Sequence, residues 1–166
     1  MSRPSARELE AIFERSPNLV SRLLPLVMPD DTPERIVEMA HEILDSLDER
    51  DRIATLDAHP RIGDPTSALS SLSAAEQGGT ADGTTERELA ELNAAYERKF
   101  GFRFVVFVRG RSKREIVPIL RARLARTREQ ELEAGIDDFL AISLDRLRSM
   151  ERADDDQMRR AMDVDS

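Results

Sequence analysis

The chain has 166 residues, a formal net charge of -8 and no cysteine. That length suits one domain with a sizeable core, and the lack of cysteine excludes disulfides, thiol nucleophiles and thiolate zinc sites. The acidic balance argues against nucleic acid as a partner, because phosphate backbones are met by clustered Lys and Arg.

In chain order, Ala6 to Arg15 put Leu9, Ile12 and Phe13 on one helical face. Ser16-Pro17 reads as an N-cap with a first-turn proline, and a short helix follows to about Leu24. Pro25 and Pro29 break the chain. Thr32-Pro33 repeats the start signal. The helix after it carries Ile36, Met39, Ala40, Ile43, Leu44 and Leu47 and runs to about Glu49, with a further turn near Ile53 and Leu56. His59-Pro60 ends this stretch, and Gly63-Asp64-Pro65 turns the chain.

Pro65 to Leu72 reads as a loop, and Ser73 to Gln77 starts a short helix that Gly78-Gly79 interrupts. Thr85 to Phe100 is a long helix with Leu89, Leu92, Ala95 and Tyr96 inward, closed by Gly101 as a C-terminal glycine cap. Phe102 to Val108 has strand character but no partner run, so a buried extended segment is expected. Ser112 to Glu115 and Thr127 to Gln130 are capping boxes. Pro118 is late for a first-turn proline, which predicts a start near Val117 or a kink. The last helix runs to about Met150 with Leu132, Ile136, Phe139, Leu140, Ser143 and Leu147 at core spacing. The expected architecture is all-α: a single compact multi-helix domain over residues 1–152, with a charged, disordered tail over 153–166.

No apolar run reaches the roughly 18 residues of a membrane helix. Met1 to Ser5 lead into a charged helix without a signal-peptide core, and the C-terminus carries no sorting tripeptide. A cytoplasmic protein without membrane or nucleic-acid partners is expected. Two histidines and scattered carboxylates give no metal-ligand spacing, so no metal is expected.

His59 precedes Pro60, which restricts it to extended backbone. An imidazole at a helix exit, close in sequence to the carboxylate of Glu76 at a helix start, forms a candidate acid–base pair. Taken alone, His59 also reads as a surface turn residue, and Ser73-x-x-Glu76 as a capping box. His41, inside a helix, reads as structural or exposed. Arg121, Arg123, Arg126 and Arg128 read as a solvated basic face; one of them, or Arg61, is an alternative partner for a substrate carboxylate.

His59-Pro60-Arg61-Ile62-Gly63, Ser73-x-x-Glu76-Gln77 and Asn93-x-x-Tyr96-x-x-Lys99-Phe100-Gly101-Phe102-x-Phe104-Val105 together resemble the 2-oxo-4-hydroxy-4-carboxy-5-ureidoimidazoline (OHCU) decarboxylase family. The resemblance runs from Phe13 to Leu147. It implies an all-helical, cofactor-free, homodimeric carboxy-lyase of purine metabolism that converts OHCU to S-allantoin in uric acid degradation. It also implies His59 and Glu76 as catalytic residues. Implied substrate contacts are Pro60, Ser73, Ala74, Ala75, Glu76, Gln77, Phe104, Val105, Val106, Phe107 and Val108. The chain departs from the family pattern at Gly78-Gly79-Thr80-Ala81 and at Arg126. A noncatalytic helical interaction module, or a same-fold enzyme acting on a related ureido acid, are the other readings open to the sequence.

Overall fold

Polar residues at the ends of apolar stripes set the helix boundaries. The computed structural model describes residues 3–63 and 83–164. Its helices are α1 (Ala6–Ile12), α2 (Pro17–Leu23), α3 (Pro33–Ser46), α4 (Glu49–Asp57), α5 (Gly83–Phe100), α6 (Lys113–Leu124) and α7 (Arg128–Val164), with a 3-10 turn at Leu24–Leu26. The fold is all-α, and the described residues contain no strand. Ser112 and Glu115 form a capping box at 3.2 and 2.7 Å, and Thr127 and Gln130 exchange the same pair of bonds at 3.2 and 3.1 Å. Thr32 caps α3 by accepting from the Arg35 N–H. Ser16 does not cap α2 through its side chain; its hydroxyl donates back to the Phe13 carbonyl at 2.6 Å.

The chain falls into two compact units, Met1–Asp48 with Leu140–Ser166, and Glu49–Phe139. Helix α7 supplies residues to both. In the first unit Leu9, Phe13, Leu19, Leu23, Ile36 and Leu44 are fully buried. Helix α1 stops at Ile12 rather than Arg15, because Glu14 and Arg15 take left-handed backbone with φ of 48° and 55°. Such backbone costs roughly 1–2 kcal/mol per non-glycine residue. What holds it is Arg146, which donates to the carbonyls of Ala11 and Ile12 at 3.1 Å and to Glu14 Oε1 at 2.9 Å. Arg146 thereby takes up the last carbonyls of α1, which have no donor in the helix.

In the second unit the core gathers Leu56, Leu89, Tyr96, Phe100, Phe104, Leu120 and Phe139. Gly101, with φ of 80°, closes α5 by donating its N–H to the Glu97 carbonyl at 2.9 Å. Gly135 lets α7 approach α4 closely: a Cβ there would lie 3.0 Å from Leu56 Cδ1. Pro118 lies inside α6, which starts at Lys113 because the capping box, not the proline, sets the start.

Two further boundaries differ from the sequence reading. Leu47 takes extended backbone after α3, and Glu49–Asp57 forms a full helix where a single turn is expected. At the C-terminus α7 continues to Val164 instead of fraying from residue 153. No glycine or proline follows Gly135, and Asp155 and Asp156 stand one turn before Arg159 and Arg160, a spacing that supports helix.

The ion pair of Arg146 with Glu14 is buried on both sides. Replacing Arg146 by Met should therefore destabilise the protein by about 3–5 kcal/mol, since it removes one member of a buried ion pair. Urea denaturation of the variant measures this loss.

Candidate active site

Pro60 denies helical backbone to His59, so α4 ends at Asp57 and His59 stands just beyond it. The His59 N–H still donates to the Leu56 carbonyl at 3.1 Å. The residue is 5% exposed. Its imidazole meets the Phe139 ring edge-on, with centroids 5.1 Å apart at 84°. A surface turn residue, the bland alternative for His59, does not fit this burial.

The turn is fastened by side chains from elsewhere in the same unit. Arg103 Nη1 donates to the carbonyls of Asp57 at 2.7 Å and His59 at 2.9 Å. Arg61 Nε donates to the Glu97 carboxylate at 3.0 and 3.1 Å. Asn93, buried on α5, donates its Nδ2–H to the Ile62 carbonyl at 3.0 Å. Between this turn and α5 lies a cleft of about 130 Å³, lined by Arg61, Ile62, Gly63, Ala90, Asn93, Ala94 and Glu97. Its polar edge offers a guanidinium, an amide and a carboxylate, groups able to meet a small polar ligand.

The extended segment is held in the same manner. The Val105 carbonyl accepts from Arg123 Nη1 at 2.9 Å. The Phe107 N–H donates to Asp138 Oδ2 at 3.1 Å. Arg111 donates to the carbonyls of Phe107 and Val108 at 2.6 and 2.8 Å. Behind the segment Arg123 lies over the Phe104 ring and donates to Glu131 Oε1 at 2.7 Å. The same oxygen accepts from the Tyr96 hydroxyl at 2.8 Å, and Arg126 pairs with the other carboxylate oxygen at 3.2 Å.

Among the sequence-predicted site residues, His59, Phe104, Val105, Val106 and Val108 are buried, while Pro60 and Phe107 are half-buried. Ser73, Ala74, Ala75, Glu76 and Gln77 lie outside the described residues, and with them the pairing of His59 with Glu76. His41 is half exposed, with Nε2 3.5 Å from Asp45. The basic stretch in α6 and at its end is solvated at Arg121 and Arg126 and half-buried at Arg128, but not solvated at Arg123. Arg123 is buried, and Arg121, Arg126, Arg128 and Arg61 each pair with a carboxylate, on Glu88, Glu131, Glu49 and Glu97 respectively. Sequence reasoning gave Asn93 only as a motif position, without a role, and missed Arg103, Glu97, Glu131 and Asp138. Only Arg103 left a local trace, as the polar residue between the inward Phe102 and Phe104.

No group of His, Asp or Glu able to hold a metal occurs among the described residues, nor is any described helix long and apolar enough to cross a membrane. The fold and site define an all-helical protein with a buried histidine at a tethered helix exit, and a small cleft of mixed lining that begins two residues further along the chain at Arg61. Comparison supplies the family: the chain belongs to the OHCU decarboxylase family, whose model matches residues 2–148. It is 27% identical over 148 residues to a uric acid degradation bifunctional protein of Bacillus sp. (strain TB-90), covering 87% of this chain and 29% of that protein. It is 29% identical over 159 residues to the uric acid degradation bifunctional protein PucL of Bacillus subtilis (strain 168), covering 93% of this chain and 32% of the relative. The chain thus spans about a third of the length of these curated relatives. Its fold is similar to that of a crystal structure of OHCU decarboxylase in the presence of (S)-allantoin, with a TM-score of 0.69 at 24% identity, over 86% of this chain and 96% of that one.

Burial and the hydrogen bond to Glu131 raise the Tyr96 hydroxyl well above the ordinary tyrosine range. The folded state then keeps a proton that the unfolded chain loses above about pH 10. Stability from this group is complete below that pH and falls as pH rises further. Tyr96 is the only tyrosine, so tyrosinate absorbance should appear only as the protein unfolds in alkali, and Tyr96→Phe should flatten the alkaline fall in stability.

Proposed function

We propose that this chain catalyses the decarboxylation of OHCU to S-allantoin in uric acid degradation, without a cofactor. The observation that carries the reading is a buried imidazole held at a fastened helix exit, in a chain of the OHCU decarboxylase family.

The chemistry asks little of a prosthetic group. Loss of carbon dioxide leaves an electron pair at a ring carbon, and the adjacent C=N and carbonyl groups of the substrate accept it. The protein must turn the carboxylate out of the ring plane, stabilise developing negative charge and deliver one proton to one face. In this reading His59 polarises the 4-hydroxyl or donates that proton. Glu76 positions the ureido group or shares a proton with His59. Ser73 and Gln77 supply hydrogen bonds to ureido and carbonyl groups, Pro60, Ala74 and Ala75 contact the substrate, and backbone groups of Phe104 to Val108 bind the ring edge. The tethering of Val105 and Phe107 by Arg123 and Asp138 supports a fixed wall at that segment. The same reading includes a cytoplasmic homodimer; light scattering at micromolar concentration should give twice the 18.8 kDa chain mass, and a monomer there overturns that part.

His59→Asn should fold normally and lose about 10²–10⁴-fold in kcat, the usual contribution of a general acid–base group. Glu76→Gln preserves a capping box but not a charge or a transferable proton. It should stay within about 1 kcal/mol of the parent in stability and be slow. A folded Glu76→Gln protein with parental turnover would leave that residue only a capping role.

A further inference from the structure

We infer that Arg103 is a positioning residue for His59: it fixes the backbone from which the imidazole is aimed. The inference rests on the proposed role of His59 in decarboxylation.

Helix α4 ends with carbonyls that no intrahelical donor reaches. One arginine takes up two carbonyls at this exit. Arg103 Nη1 donates to the Asp57 carbonyl at 2.7 Å and to the His59 carbonyl at 2.9 Å. Its own backbone N–H donates to Asp57 Oδ1 at 3.0 Å. Arg103 therefore grips the chain on both sides of Ala58. The guanidinium is itself braced, with Nε 3.7 Å from Glu97 Oε1, and Glu97 also accepts from Arg61 at 3.0 and 3.1 Å. The main chain at residues 57 and 59, and the side chain at 61, are thus all referred to Glu97 on the regular helix α5.

Pro60 fixes the conformational class of His59 but not its position. With the main chain gripped, only the two side-chain torsions of His59 remain, and the Phe139 ring edge closes one side of them at 5.1 Å. A displacement of about 1 Å at a reacting group is enough to cost on the order of 10²-fold in rate. A helix cap alone would not need arginine, since a lysine ammonium also meets terminal carbonyls. The planar fork is needed to address the carbonyls and Glu97 together. Arg103 Nη1 is committed to the carbonyls on either side of Ala58, and through that backbone its effect on the reaction passes to His59.

The test uses Arg103→Gln and Arg103→Lys in the full chain, with steady-state kinetics and NMR of 15N-labelled histidine. The chain has two histidines, and His41, half exposed in the other unit, serves as the internal reference. Folded Arg103→Gln should lose about 10–100-fold in kcat with KM within about threefold. Its His59 ring signals should shift or broaden while those of His41 stay in place, and Arg103→Lys should recover part of both. Parental kcat with unchanged His59 signals in folded Arg103→Gln would overturn the assignment. If Arg103→Gln does not fold, Arg103→Lys decides: reduced kcat with altered His59 signals supports the assignment, and parental behaviour overturns it. If neither folds, Arg103 is a structural prop and the assignment also falls. Should the parent itself not turn over OHCU, the proposed function fails, while the His59 signals still report whether Arg103 holds that residue.

Discussion

The ring of Pro60 forbids helical backbone at His59, and much of the second unit is arranged around the turn this creates. Helix α4 must end before the turn, so its last carbonyls need donors from outside the helix. Arg103 supplies them, Glu97 braces Arg103, and Asn93 takes the carbonyl of Ile62, three residues further along. Two of these bracing side chains, Asn93 and Glu97, stand one turn apart on α5, so the turn inherits the rigidity of a regular helix. An imidazole in such a place is pre-oriented before any ligand arrives. This is the condition under which a single acid–base group is effective.

The same device recurs at two other places where the described backbone leaves helix. Arg123 and Arg111 hold the extended segment by its carbonyls, and Arg146 holds the left-handed turn after α1. An all-helical chain has no sheet to absorb irregular backbone, and buried peptide groups must be paired. Long cationic side chains with several donors meet that demand across a distance. Their charge must then be matched inside the protein: Arg123 by Glu131, and Arg146 by Glu14. Pairs of this kind are costly to break, because a buried charge loses a partner. They add little over a well-packed apolar pair, so their value lies in the backbone they fix.

Much of the helical frame was legible in the sequence. Capping boxes at Ser112 and Thr127, the Thr32-Pro33 start and the Gly101 stop act over three or four residues, and a reading window sees them whole. The apolar stripes of α3 and α7 were legible for the same reason. His59 stood out because Pro60 is its neighbour. The arginine tethers were not legible: Arg103 reaches Asp57 across 46 positions and Arg146 reaches Glu14 across 132. Nothing in local spacing distinguishes such a residue from a solvated cation, which is why Arg123 read as surface and proved buried. Charge density likewise misled at the C-terminus, where acidic and basic residues at helical spacing sustain α7 to Val164.

A chain that removes carbon dioxide from OHCU and protonates one face of the ring must release a single enantiomer of allantoin. Freshly generated OHCU mixed with the purified protein, and followed by circular dichroism, tests this directly. The predicted result is a prompt rise of the S-allantoin signal with the parent chain and only the slow, racemising background with His59→Asn. Contradiction would be a parent protein that leaves the background unchanged, or a folded His59→Asn protein that produces S-allantoin as fast as the parent.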